Sequence, residues 1–385
     1  SSQRSPPRPD APPSPMPPAA DLEDGVDPDD VDDEAPQPTA KLIEPSTLAS
    51  PEALEAVWRD MRQAYYVSPV WRADFYTALA YHGFISVSQA VPGANGRSFP
   101  LLIPEIQRSY GVLDFPSLHI ERNVRKRANR YELRFDSAFE EVMAALCAYH
   151  DNCWLLPEYR RLMADLRAAG PVRVGPRGAL LEVHTVELCD AQTGELVAGE
   201  LGYCVGSTYT SLTGFTQRER QSAGKIQLAG LACVLERAGA ALWNLGHPPR
   251  EATDVRPACM LYKREMGASV LRRDAFLQRW LAARDGPLLR FPASGADWPG
   301  GSLNVRSILD NRCAPADPAC PAGADAGAGP EAMCTDNAPP PPRLVEESAG
   351  VAHDAGAAQL GGTQLPAPQA AVGAAPQQQV APAGS

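Results

Sequence analysis

The stretch Leu180–Phe215, LLEVHTVELCDAQTGELVAGELGYCVGSTYTSLTGF, constrains the fold most, because two long alternating segments meet there through an evident turn. Val183, Thr185 and Glu187 interleave with His184, Val186 and Leu188 at the period of two that a strand requires. Asp190-Ala-Gln-Thr-Gly194 turns the chain, and Glu195 to Tyr209 runs back, which predicts an antiparallel hairpin. Glycines at 199, 202 and 206 punctuate the returning strand. Glycine inside a strand loses packing and chain entropy, so it marks a bulge or a close approach by a ligand or another backbone. The returning strand is therefore the expected floor of a site.

The rest of the chain arranges itself around this hairpin. Pro51 to Ala64 and Ala73 to Tyr81 read as helices, the first behind a Ser50 cap and the second closed by Gly83. Phe84 to Ser88 reads as a strand, and the segments ending LLIPEIQRSYGVLDF and PSLHIER as two more. Tyr65, Tyr66, Trp71, Phe75, Tyr76, Tyr81 and Phe84 crowd together, an arrangement that suits a core or, less simply, base stacking. Tyr131 to Phe135 is an expected strand. Ser137 to Tyr149 is an expected helix with Ser137 as its cap, and Pro157 to Gly170 a second helix. After the hairpin come a long helix from Ala223 to Ala241, a strand at ALWNLGHP, a connection from Met260 to Gly267 and an amphipathic helix from Arg272 to Ala283. The sum is an α/β (α+β) protein with a mainly antiparallel mixed sheet. Residues 129–290 form its principal domain and residues 42–128 a small N-terminal α/β domain.

Both ends look disordered, at residues 1–41 and 291–385. Residues 1–40 are proline-rich and carry ten acidic and two basic residues, while the chain from Asp297 on is Pro, Ala, Gly and Gln with nine acidic and three basic. The whole-chain net charge of −11 is thus a property of the ends, and the middle is mildly basic. That distribution admits a nucleic-acid partner, with the ends limiting non-specific attachment, and it equally suits plain solubilising arms. Arg122, Arg125, Lys126, Arg127 and Arg130 put five cations into nine residues uninterrupted by an acid, the natural candidates for phosphate contacts.

Enzyme signatures based on phosphate loops, nucleophile elbows or metal pairs are missing. The nine cysteines include no Cys-x-x-Cys and no histidine at ligand spacing, so no metal site is expected and the thiols read as reduced and packed in an intracellular protein. His119 and His184 lie in apolar alternation and read as core histidines. No apolar run reaches membrane-spanning length, and residues 1–20 hold no signal core, although a leader removed ahead of Ser1 stays open. Ser211-Leu-Thr-Gly-Phe215 is a small-residue crossing that presents backbone N–H groups to an anion or oxyanion, or else only a tight turn.

At this point the residues carry a resemblance. PSLHIERNVRK, CWL, VHTVEL with TGELVAGELGYCVG, TSLTGF, the long helix and YKREMGASVLRRDAFL resemble, in order and spacing over about residues 98–282, the leucyl/phenylalanyl-tRNA–protein transferase family. The resemblance implies a GNAT-like acyltransferase domain. It also implies transfer of Leu or Phe from aminoacyl-tRNA to the amine of proteins with a basic N-terminal residue, which marks them for degradation. A cytoplasmic monomer with no cofactor is implied as well.

By the same resemblance Arg122 to Arg130 would hold tRNA, Trp154 would line the aminoacyl or adenosine pocket, and Ser211, Thr213, Gly214 and Phe215 would form the amino-acid pocket and catalytic turn. The family's Gly-Glu-Ser-Met-Phe-Ser turn is here Ser211-Leu-Thr-Gly-Phe-Thr216, without the glutamate. Its Asp-Cys-Gln strand is here Trp243-Asn244-Leu245-Gly246, with Asn244, in place of a carboxylate, as a candidate catalytic residue. A tryptophan pair before SLHI is replaced near Leu102 and Ile103. Glu200, among its glycines, is the expected substitute acid/base or amine-binding group, and Glu187 is a second choice. Two other readings stay open: a tRNA- or N-terminus-binding module with weakened or lost catalysis, and an acyltransferase using another donor.

Overall fold

The computed structural model describes residues 41–93, 97–150, 153–251 and 260–312. Most of the two expected disordered arms, and Cys259, Cys313, Cys320 and Cys334, lie outside the described residues. The chain begins with β1 (Lys41–Leu42), α1 (Pro45–Ala49), α2 (Pro51–Arg59), β2 (Tyr66–Val67) and α3 (Ala73–Tyr81). Next come β3 (Ile85–Pro92), β4 (Ser98–Glu105), β5 (Ser109–Leu113), α4 (Arg122–Arg127), β6 (Tyr131–Phe135), α5 (Phe139–Tyr149) and α6 (Pro157–Ala169). The central part is β7 (Val172–Val174), β8 (Ala179–Asp190), β9 (Leu196–Val205), β10 (Thr208–Thr216) and α7 (Ala223–Arg237). Last are β11 (Leu242–Asn244), α8 (Leu261–Glu265), β12 (Ser269–Arg272), α9 (Arg273–Ala283) and α10 (Val305–Asp310).

The expected hairpin is β8–β9, and β10 returns beside it to make the middle of an eight-stranded sheet ordered β12-β5-β11-β10-β9-β8-β6, with β7 also paired to β8. All its pairs are antiparallel except β10–β11, so the sheet is mixed. β3 and β4 form a separate hairpin, and β1 with β2 a short parallel pair. β5, which precedes residue 128, lies inside the principal sheet between β12 and β11.

Helices cover both faces of this sheet, which is why β8 and β9 are buried along nearly their whole length rather than alternating in and out. One face packs Leu181, Val183, Leu201, Tyr203 and Phe215 against buried residues of α3, α5 and α6. The other packs Val186, Leu188, Cys204 and Tyr209 against α7 and α10. The aromatic crowd of residues 65–84 is core: Tyr66, Phe75, Tyr76, Tyr81 and Phe84 are all buried.

Several local expectations are corrected. The segment PSLHIER is no strand: a 3₁₀ turn occupies Phe115–Ser117, Pro116 has no N–H to offer a ladder, and the His119 N–H goes instead to the Met266 carbonyl. α2 stops at Arg59, five residues early, because Trp58 and Asp60 turn their carbonyls toward the Arg273 guanidinium. Ser137 does not cap α5, whose N-cap is Ala138; the Ser137 hydroxyl donates to Glu187 instead. The connection 260–267 contains helix α8. Residues 291–312 are structured, since Trp298, Leu303, Val305, Ile308 and Leu309 are buried and α10 packs on α7. Composition hid this helix because it is short and follows a glycine-rich run.

Candidate functional site

The register of β9 and β10 decides where each expected site residue points. Glu200 pairs with Val186 on one side and Gly214 on the other, whereas Glu187 pairs with Gly199. Successive residues of a strand face opposite ways. Glu200 therefore faces α7 and Glu187 faces α5, and the two expected carboxylates do not meet.

Glu200 is 3% exposed. Its Oε1 accepts from the Tyr209 hydroxyl at 2.8 Å and the Ser211 hydroxyl at 2.9 Å, and its Oε2 from the Gln227 amide at 3.3 Å. Trp243 Nε1–H donates to Ser211 Oγ at 3.0 Å, so the half-buried Ser211 links the carboxyl to β11. Burial pushes the Glu200 carboxyl up to about 7 against the opposing pull of the Tyr209 and Ser211 hydrogen bonds. Gly202 makes the arrangement possible: a Cβ there would collide with the Tyr209 hydroxyl.

Glu187 is fully buried at the start of α5. Its carboxylate accepts from Ser137 Oγ at 3.1 Å, from the Ser137 and Ala138 backbone N–H groups, each at 3.4 Å, and from Thr185 Oγ1 at 2.6 Å. It serves as an anion at a helix N-terminus, satisfying orphan donors there. Burial nevertheless raises its proton affinity. Asn244 is 1% exposed and accepts the Gly246 N–H at 2.9 Å, which shapes the turn after β11.

The crossing expected at Ser211–Phe215 is strand, not turn. β10 continues through it with a register shift between Ser211 and Thr213. The bulge places Ser211 toward α7 and Thr213 toward α5. Phe215 is buried on the α5 face, its ring lying where Gly199 lacks a Cβ, while Gly214 lies beside Glu200 on the α7 face. Trp154 is buried on the α5 side and meets Tyr159 edge-on at 4.9 Å. Trp154, Thr213 and Phe215 thus share one face, while Ser211, Gly214 and Glu200 share the other.

The basic run forms α4 and the 3₁₀ turn Ala128–Arg130, anchored by buried Val124 and Ala128. Arg122, Lys126 and Arg130 are exposed and Arg125 half-buried. Among the described residues no carboxylate forms a close ion pair with any of the four, although the Arg130 charge acts on Asp190, while Arg127 donates to Ser222 Oγ at 3.0 Å at the start of α7. A solvated, unpaired cluster of this kind is what phosphate contact requires.

Sequence reasoning missed three polar residues. Arg273 is wholly buried and, among the described residues, has no ion-paired carboxylate; it donates to the carbonyls of Asp60, Gln63, Ile106 and Gln107 at 2.6–2.9 Å and so ties α9 to the N-terminal segment. Lys263 donates to the Leu245 and His247 carbonyls, holding the turn after β11. His150, the residue after α5, places Nε2 3.0 Å from Thr213 Oγ1. A charged residue in YKREM or LRRDAFL gives no sign in sequence that its partners are distant carbonyls. His184 is the core residue expected, 4% exposed with Nδ1 2.8 Å from Asp136. No group of three His, Cys, Asp or Glu suited to a metal occurs among the described residues.

Residues 112–280 match the family model for leucyl/phenylalanyl-tRNA protein transferase. Curated proteins of that name are similar to this chain: that of Tolumonas auensis is 31% identical over 137 residues, covering 34% of this chain and 52% of its own length. That of Aromatoleum aromaticum is 32% identical over 127 residues, covering 32% and 47%, and that of Hyphomonas neptunium 27% identical over 216 residues, covering 55% and 70%. The chain spans about half the length of the first of these relatives. Among solved structures FemX aligns with 64% of this chain and 78% of its own at 11% identity, with a TM-score of 0.33 that is too low to support an argument. Over residues 112–280 the chain is thus similar to the leucyl/phenylalanyl-tRNA protein transferase family.

Proposed function

We propose that this chain moves an amino acid of the Leu/Phe type from aminoacyl-tRNA to the N-terminal amine of a protein with a basic first residue, tagging it for degradation. The observation that carries the reading is that the family match takes in both the unpaired cationic helix α4 and the strands β9 and β10. An aminoacyl ester is already activated, so the enzyme has to position an amine, accept its proton and stabilise an oxyanion. In this reading Arg122, Arg125, Lys126, Arg127 and Arg130 hold tRNA phosphates. Trp154, Thr213 and Phe215 line the aminoacyl site, and Gly214 leaves room beside Glu200 on the opposite face of the sheet. Glu200 acts behind Ser211, whose hydroxyl it orients, and Glu187 and Asn244 keep their neighbouring strand ends in place.

The reading includes a GNAT-like arrangement of the central sheet, supported by antiparallel β8-β9-β10 followed by parallel β11. It keeps residues 129–290 as the acyltransferase part behind a smaller part at 42–128. It places the protein in the cytoplasm as a monomer; among the described residues no helix is long and apolar enough to cross a membrane.

A second reading, a module that binds tRNA or N-termini without catalysis, is favoured by one observation: both expected carboxylates are sealed from solvent. The deciding experiment incubates the protein with tRNA charged with labelled Leu, Phe or Met and with peptides beginning in Arg, Lys, Asp or Glu. Label in Arg or Lys peptides from Leu- or Phe-tRNA is the expected result. Bound tRNA with no label in any peptide selects the binding module.

A further inference from the structure

Aminoacyl transfer needs a proton acceptor open to the acceptor amine, and neither expected carboxylate is open. Glu200 is enclosed by three donors and Glu187 by the first turn of α5. The α5 face offers a different group. His150 and Thr213 are both half-buried, they approach to 3.0 Å through Nε2 and Oγ1, and the β10 bulge is what turns Thr213 to that side. The Tyr149 ring meets the imidazole edge-on at 5.1 Å, fixing its plane. Trp154 follows four residues later, and it shares the face with Phe215.

We propose that His150 is the proton acceptor of the transfer, reached through the hydroxyl of Thr213; this rests on the aminoacyl-transfer reading. The acceptor's α-amine attacks the ester carbonyl carbon with its lone pair. Its proton passes to Thr213 Oγ1 as the Thr213 hydroxyl proton passes to His150 Nε2. The tetrahedral oxyanion then collapses, the bond from carbonyl carbon to ribose oxygen breaks, and the imidazolium returns its proton by the same route to the leaving ribose oxygen. An amide has replaced an ester, and both side chains end as they began. Beside the pair stands the Tyr149 ring of α5, and the charge of Arg218, from the segment after β10, acts on Tyr149. Cys147 and Cys153 bracket it in sequence.

The test is the pH profile of transfer to an Arg-initiated peptide by wild type, His150→Gln, Thr213→Val and Thr213→Ser. Wild-type kcat should rise with pH and level off. His150→Gln and Thr213→Val should each lower kcat by roughly 10²–10⁴-fold, with peptide KM and tRNA affinity little changed, and His150→Gln should lose the acidic limb. Thr213→Ser, which keeps the hydroxyl, should retain most of the rate. Should His150→Gln lose its near-ultraviolet circular dichroism, the Thr213→Val and Thr213→Ser pair decides alone. Full rate with an unchanged pH profile in His150→Gln or Thr213→Val overturns the proposal while leaving the transfer reading intact. A wild-type protein that transfers nothing from any charged tRNA overturns both.

Discussion

Replacing Glu200 by Gln should stabilise the protein relative to wild type more at pH 8 than at pH 5. Burial raises this carboxyl from its ordinary 4.5 to about 7. A group whose folded value lies above its unfolded one contributes most below pH 4.5, where both states are protonated. That contribution falls as the pH rises toward 7, because the unfolded chain releases the proton first, and it levels off above 7. A displacement of one pH unit corresponds to about 1.4 kcal/mol, so wild type should lose about 3 kcal/mol across the whole window through Glu200 alone. Glutamine keeps an oxygen for the Tyr209 and Ser211 hydroxyls, and the Gln227 amide can turn over to accept from the new Nε2–H. Urea denaturation of both proteins at pH 5, 6, 7 and 8, with m-values held in common, reads the difference. The stability of Glu200→Gln minus that of wild type should grow by about 2–3 kcal/mol over the series, since part of the window lies below pH 5. A difference flat to within about 1 kcal/mol would mean that the carboxyl is solvated and that the sealed network is wrong.

Replacing Arg122, Arg125, Lys126 and Arg130 together by Ala should weaken tRNA binding and lessen the slope of log affinity against log salt by about 1 for each phosphate no longer neutralised, with unchanged thermal stability; filter binding at graded KCl measures it. Arg273→Met should lower stability by roughly 3–5 kcal/mol in chemical denaturation, because four carbonyls lose a charged donor at once. Truncation after Arg290 removes Val305, Ile308 and Leu309 from the core and should unfold the protein or cost several kcal/mol by calorimetry.

The features that sequence showed well were those whose pattern is local. The β8–β9 hairpin was visible because alternation and the Asp190–Gly194 turn occur within a few residues of each other, and the glycines of β9 matched real close approaches at Gly199 and Gly202. Face assignment in β10 was not visible, since a single-residue bulge reverses which side a residue takes and leaves no mark in SLTGF. The helix-capping role of Glu187 was not visible because its partners, the N–H groups of Ser137 and Ala138, lie about fifty positions away. His150 stood at a helix end with no motif around it; only the folded sheet brings Thr213 to it. Helix α10 was hidden by the composition of the chain that surrounds it.

The central claim, amide formation at a protein N-terminus, has one direct measurement. Peptides beginning in Arg or Lys, with the α-amine free or acetylated, are incubated with the protein and labelled Leu- or Phe-tRNA. The products are then sequenced by tandem mass spectrometry. Label joined to the free α-amine, absent from the acetylated peptide and from peptides beginning in Asp or Glu, is the predicted result. Unmodified peptides in the presence of bound, slowly hydrolysing charged tRNA would contradict the claim.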